Sequence, residues 1–596
     1  MDKFLATKAD DNNNEVSTTT KPKKPLVSEV WTFFTRGKDG TARCNICSKS
    51  YRTSGNTSNL KDHLTRKHPE HKSSGISVPK ITTYFESANT YEDGSKRKQS
   101  IDMAVAKMIA TDVQPISIVE NKGFINLLNI LDPKYKVPSR YQIRDIYLKN
   151  MHLSMIAKLQ DILSKIEYCA ITTDGWTSKA NTNYLTITCH FISDFELKSV
   201  VLSTMPLVNE HNHTGQNIAD TLELALNEWH IFNKVVAIVT DNAPAMLNAC
   251  KLLKKRNLGC FAHTLNLVVQ DVLSSSLVKS ALGKCKAIVT YFKSSATAYA
   301  KLRTAQGDNA YSLVQEVPTR WNSAFDMLKR FLQLKNEISS VLLNTPKSEQ
   351  MLNADEINLL TDICELLKIF DDATHYVSGD TKVTISLIIP VACGLYLNLE
   401  KITTKLQTTE GLGVCELLKK GVETRLFQYE TRTVTRIATM LDPRFKKEAF
   451  RSPFNAAEAM KALEDELTIS PAIEIEPEEQ LPREVDGLSL IGYVQEKCQT
   501  KIRNKRVDSI LALRQYTEKP NSMQSLDPLT YWKTHFLEYP TLAEVGKRYL
   551  CIPASSTESE RMFSKAGQII SDRRTCLKPK RVNMLLMLNK NQWLLD

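Results

Sequence analysis

Between Cys169 and Thr240 the hydrophobic period of this chain changes, and that change limits the folds open to it. Cys169 to Thr173 is a short β-branched run, Tyr184 to Ile192 alternates apolar and polar residues, and Leu197 to Met205 reads as a third strand. Thr214 to Trp229 carries helical spacing, and Lys234 to Thr240 reads as a buried strand. Three strands, a helix and a strand make a mixed sheet. The flanks read differently: 101 to about 165 is mostly helical, and Pro244 to Leu550 is almost wholly helical, broken by an acidic, Pro-containing loop from Glu464 to Asp486.

Carboxylates mark the ends of two of these strands. Asp174 lies in Ile171-Thr-Thr-Asp-Gly-Trp-Thr177, and Asp241 ends Val235-Val-Ala-Ile-Val-Thr-Asp241. Neighbouring parallel strands would bring both to one edge. A third acid, Glu560, lies in Ser559-Glu-Arg-Met-Phe-Ser564, and Glu558, two positions away, faces elsewhere on the same helix. An Asp after a strand often only caps a turn. Three such acids clustered have the hard oxygen donors that divalent cations need for phosphodiester chemistry.

Charge points to a polyanionic partner. The net charge is +12, and it concentrates at the ends. Residues 1–100 carry 18 Lys/Arg against 11 Asp/Glu, and residues 547–596 carry 10 against 4. Basic ends around a neutral body suit DNA. The 13 cysteines are an odd number with no charged-then-apolar leader before them, so a reducing compartment with free thiols is expected. The longest apolar stretch, Val383 to Leu399, contains Pro390 and Gly394 and reads as a buried helix, so no membrane partner is expected. Lys21-Pro-Lys-Lys24 and Lys96-Arg-Lys98 are short basic runs compatible with nuclear import.

A metal module precedes the sheet. Cys44-Asn-Ile-Cys47 is followed by His63-Leu-Thr-Arg-Lys-His68, a spacing that suits tetrahedral Zn2+ with two thiolates and two imidazoles. His71 is an alternative ligand at poorer spacing. A helix from about Asn56 to His68 and a small core of Trp31, Phe34 and Leu60 complete a unit that needs its metal to fold.

This region resembles a BED-type zinc finger, through Val30-Trp31, Phe34, Cys44, Cys47, Ser58-Asn59-Leu60, His63-Leu64 and His68-Pro69. The resemblance implies binding to double-stranded DNA, with Asn59, Lys61 or Arg66 reading bases and Lys67 and Arg52 on phosphates. Further on, Thr173-Asp-Gly-Trp176, Thr240-Asp-Asn-Ala243, Cys260-Phe-Ala-His263 with Leu265-Asn-Leu267, Pro318-Thr-Arg-Trp-Asn-Ser323, Leu441-Asp-Pro-Arg-Phe445 and Ser559-Glu-Arg-Met-Phe-Ser564 occur in one order. That series resembles the hAT superfamily of DNA transposases.

The resemblance implies a multidomain α+β chain: a BED finger, then a ribonuclease H-like mixed sheet interrupted by a large all-α insertion. The expected division is a disordered tail at 1–26, the finger at 27–72, a linker at 73–100 and a helical DNA-binding or intertwining domain at 101–165. The first ribonuclease H-like segment follows at 166–320 and the helical insertion at 321–545. The closing ribonuclease H-like segment, with the dimerisation region, takes 546–596. Asp174, Asp241 and Glu560 fall on the family's catalytic acids and would hold Mg2+ or Mn2+. Trp321 falls on a tryptophan expected to stack on an extruded base, beside Arg320. Cys260 and His263 would support the active site or the structure, and Arg561 and Arg573 would contact phosphate. Arg581 to Asn589 is either a dimerisation element or a closing core helix. The implied function is a nuclear transposase that cuts and joins DNA. The alternative is a domesticated, catalytically silent BED-finger transcription regulator that dimerises.

Overall fold

The computed structural model describes residues 29–37, 39–53, 56–71, 90–177, 181–210, 212–317, 320–345, 347–469, 505–569 and 577–595. The chain forms two compact units, residues 1–91 and residues 92–596.

In the first unit, strands β1 (Phe34–Arg36), β2 (Thr41–Cys44) and β3 (Ser50–Arg52) form an antiparallel meander, followed by helix α1 (Ser58–Lys67). Its small core is Val30, Phe34, Ala42, Cys44 and Leu60, with Trp31, Phe33, Tyr51 and Leu64 packed against it. Phe34 and Leu60 are buried as the sequence implies, whereas Trp31 is half-buried and carries Arg36 on its ring, 4.1 Å from the centroid.

The second unit opens with helix α2 (Lys96–Thr111), capped by the Ser95 side chain, so the last five residues of the expected linker are already helical. Helix α3 (Leu148–Lys165) leads into β4 (Cys169–Thr177), β5 (Asn183–Ser193) and β6 (Glu196–Pro206), an antiparallel set. Helix α4 (Gly215–Glu228) crosses over to β7 (Val235–Thr240), parallel to β4. Helix α5 (Pro244–Leu252) then leads to β8 (Arg256–Gly259), parallel to β7, so the strand order is β6-β5-β4-β7-β8. The strand β8 corrects the helical reading from Pro244 onward. Its four residues, Arg-Asn-Leu-Gly, are too few and too polar to display a strand period.

Alternation along the central strands divides two cores. Ala170, Ala237 and Val239 join the core that extends into the helical mass, and Ile171 and Ile238 join the core on the opposite face. From Phe261 to Leu550 the described chain is helical, including α6 (Phe261–Leu273), α7 (Trp321–Gln333), α8 (Ala354–Val377) and α9 (Ile388–Ile402). Segment Ile385–Lys405 has the length and composition of a membrane span. In this fold Ile388, Ile389, Ala392, Leu395 and Leu399 of α9 pack into the main core, as the sequence implies.

The chain then returns to the sheet. Helix α10 (Thr557–Ile569) packs on β4 and β5, and α11 (Pro579–Lys590) packs on β6 and α2. Edge strand β6 is closed by side-chain amides: Val201 N donates to Asn591 Oδ1 (2.9 Å), Asn591 Nδ2 donates back to Val201 O (2.9 Å), and Thr204 N donates to Asn583 Oδ1 (2.8 Å). These bonds occupy backbone groups that an open edge would offer to another chain. Val582 and Met584 through Asn589 are all buried, so α11 is a closing core helix.

Candidate active site and metal centre

The finger's four donors converge. Cys44 ends β2, Cys47 follows a tight knuckle closed by Ser48 N on Cys44 O (2.9 Å), His63 lies within α1 and His68 caps it. Their ligand atoms all lie within 4.8 Å of one another. Cys47 Sγ is 3.3 Å from His63 Nε2, and Cys44 Sγ is 3.8 Å from His68 Nε2. Bonds of about 2.3 Å to sulfur and about 2.0 Å to nitrogen in a tetrahedron place such atoms roughly 3.5 Å apart, so the donor set fits Zn2+. Burial, then the neighbouring His68, holds the His63 pKa below its ordinary value, keeping the neutral imidazole a metal needs.

Tyr51, which carries no sequence motif of its own, orients the His63 ring. Its hydroxyl lies 2.8 Å from His63 Nδ1, which leaves Nε2 free to ligate. The signal was present only as a tyrosine in the middle of a three-residue strand. Asn59, Lys61, Arg66 and Lys67 are exposed on α1, and Arg52 is exposed on β3.

In the second unit, Asp174 lies inside β4 rather than beyond its end, because pairing with β5 continues to Thr177. The Gly175 N–H donates to Asp174 Oδ1 at 2.9 Å. Asp241 follows β7 directly, and its Oδ1 accepts from Ala243 N at 3.3 Å at the start of α5. Its neighbour Asn242 tucks against Gly259 of β8: a Cβ there would stand 2.1 Å from Asn242 Oδ1, so this close approach requires glycine. Glu560 is in the first turn of α10.

A cleft of about 760 Å3 brings together Asp174, Glu560, His263, Arg320, Trp321, Arg561 and Phe563 among its lining residues. Electrostatics tie Asp241 to the same place. Burial, then the carboxylates of Asp241 and Glu560, pushes the Asp174 pKa up to about 8. Burial also raises the Glu560 pKa, against the opposing charges of Arg320, His263 and Arg561. Among the described residues the finger forms the tight metal-ligand group, and the three acids are spaced more widely than that.

The supporting residues divide. His263 and Arg320 stand at the cleft, while Arg561 is held by Ser378 O (3.0 Å) and lies 3.6 Å from Asp380. Cys260 is buried, its Sγ accepting from His263 N (3.4 Å) and Ser556 N (3.3 Å), and burial raises its thiol pKa. Its two hydrogen bonds pin α6 to the approach to α10. Trp321 starts α7, is 2% exposed and packs against Phe325, so its ring must be uncovered before a base can stack on it. Arg573 lies outside the described residues.

Comparison with known proteins fits this arrangement. Residues 28–69 match the BED zinc finger, and residues 172–262 match the ZBED1 RNase-like domain. Residues 258–366 match the ZBED1 RNase-like helical domain, and residues 512–592 match the hAT family C-terminal dimerisation region. The chain therefore carries a BED zinc finger and a hAT-type C-terminal dimerisation region. It is 26% identical to human Zinc finger BED domain-containing protein 4, over 93% of this chain and 50% of that protein. It is 24% identical to the "Putative AC transposase" of Zea mays, over 95% of this chain and 76% of that protein. With RICESLEEPER 1 of Oryza sativa subsp. japonica the identity is 23%, over 94% and 87%. The chain spans about half the length of the human relative.

Proposed function

We propose that this chain is a DNA transposase that binds the ends of a mobile element through its finger and cuts and joins DNA at the cleft of Asp174, Asp241 and Glu560. The observation that carries this reading is the convergence on one cleft of Asp174 from β4 and Glu560 from the returning C-terminal helix, with Asp241 of the adjacent strand's end close enough to raise the pKa of both and basic side chains beside them. Three half-buried carboxylates repel one another, and divalent cations fit a site with that donor set. Mg2+ or Mn2+ held by these three acids would supply the positive charge that an in-line phosphodiester displacement requires.

The chain's own residues prepare the site. Arg320 and Arg561 place positive charge at the cleft for the DNA backbone, and His263 stands where it can hold a phosphate oxygen. On the finger, the exposed Asn59, Lys61 and Arg66 reach base edges, with Lys67 and Arg52 on phosphates. Region 512–592, which matches the hAT C-terminal dimerisation region, brings two copies together, and a DNA substrate places the work in the nucleus.

The test is cleavage of DNA taken from the gene's own flanks, with Mg2+ or Mn2+. Cutting at inverted-repeat ends that disappears in Asp241→Asn supports the transposase. Tight, zinc-dependent binding without cutting replaces it with a domesticated regulator.

A further inference from the structure

Four consecutive residues of α10, from Glu558 to Arg561, face four environments, and the first of them is a buried acid. Glu558 is 4% exposed. Its Oε1 lies 2.6 Å from Lys590 Nζ at the end of α11 and accepts from the Ser199 hydroxyl on β6. Its Oε2 lies 3.5 Å from His190 Nε2 on β5. Lys590 continues to Asp380, at 3.0 Å, in the loop after α8. Asp380 lies 3.6 Å from Arg561, one residue past Glu560. Ser559 is hydrogen-bonded to Thr172 on β4, at 2.6 Å, two residues before Asp174.

Helix geometry turns these contacts into an aim. Residues two apart on a helix point about 200° from one another, so seating Glu558 against the sheet directs Glu560 toward the cleft. The Ser559–Thr172 bond and the buried Met562, Ala566 and Ile569 seat the helix on the sheet, and the Glu558 contacts add a charged anchor at its first turn. A buried carboxylate with a paired cation resists rolling, because any rotation separates charges in a region of low dielectric. Burial acts to lower the Lys590 pKa, and Glu558 and Asp380 outweigh it, so Lys590 stays charged.

We propose that the Glu558–Lys590–Asp380 clasp sets the aim of Glu560, making these three positioning residues for the cation site. The proposal rests on the reading of Asp174, Asp241 and Glu560 as that site. It also makes the clasp the link by which the helical insertion, through Asp380, is registered to the acid on the returning helix.

The experiment is a Mn2+ titration of the full-length, zinc-loaded chain, followed by electron paramagnetic resonance of free Mn2+. Thermal unfolding is recorded for each variant, and Asp241→Asn serves as reference. Glu558→Gln and Lys590→Met are expected to weaken Mn2+ binding about tenfold, the scale of losing an orienting partner, and Lys590→Arg to restore it. Asp380→Asn, at a partly exposed position, keeps the fold if the inner variants do not, and is expected to weaken binding in the same direction. Wild-type affinity in all three weakening variants, with Asp241→Asn impaired, overturns the clasp and leaves the site reading intact. Mn2+ binding that Asp241→Asn does not weaken overturns the site and the clasp together.

Discussion

Asp174 comes two residues after Thr172 and Asp241 two residues after Val239, and Thr172 and Val239 are register partners on the adjacent parallel strands β4 and β7. The parallel crossover through α4 is what makes this possible. An antiparallel return would have placed Asp241 at the opposite end of the sheet.

That pairing gives the first prediction. Asp241→Asn keeps the shape and removes one charge of the site. Metal-dependent DNA cleavage is expected to fall by more than about 100-fold, the consequence of losing several kcal/mol of charge stabilisation. DNA affinity, read by gel shift, is expected to hold.

The finger predicts a folding defect. Cys44→Ser removes a buried ligand that also sits in the five-residue core. The isolated loss is expected to unfold residues 28–70, seen by proton NMR, and to weaken specific DNA binding. Tyr51→Phe is milder: it removes the partner of His63 Nδ1 and is expected to lower Zn2+ affinity about tenfold, measured by chelator competition.

Gly259 predicts a coupled pair. Gly259→Ala drives a methyl to 2.1 Å from Asn242 Oδ1 and is expected to cost about 1–3 kcal/mol in denaturant unfolding. Asn242→Ala in the same chain relieves the clash, so the double variant is expected to be more stable than additivity allows.

Acid is expected to loosen the C-terminal helix. His152 on α3 sits with Nε2 3.4 Å from Met587 Sδ of α11, and burial holds its pKa below the ordinary value. A depressed histidine contributes stability that is fully present above its unfolded pKa of about 6.5 and is lost as pH falls through the folded value. The unfolding midpoint is therefore expected to drop below about pH 6. His152→Gln is expected to retain only part of that drop, because His190 is also depressed by burial and titrates in the same direction.

Much of the site was legible because its components carry local signatures. The Cys44, Cys47, His63 and His68 spacing names a metal and a geometry without any fold. Four of the sheet's five strands announce themselves by period, and the acids at Asp174 and Asp241 stand on or beside two of them. Trp321 illustrates the limit. Its motif is visible in the sequence, but its exposure of 2% depends on Phe325 and on the walls of a cleft built from distant segments. Glu558 is a second case: helical spacing says only that it faces away from Glu560, and the return of α10 to the sheet buries it between His190 and Lys590.

Local pattern, then, determined which elements form and which residues carry ligand chemistry, because propensity, period and donor type are properties of neighbouring residues. Tertiary structure decided which acids share a cleft, that Arg256–Gly259 adds a fifth strand, and which charges are buried in pairs. Those outcomes depend on contacts between residues hundreds of positions apart, such as Ser199 with Glu558 and Val201 with Asn591. Only the compact state, in which water is excluded between them, brings such partners within a hydrogen bond's reach.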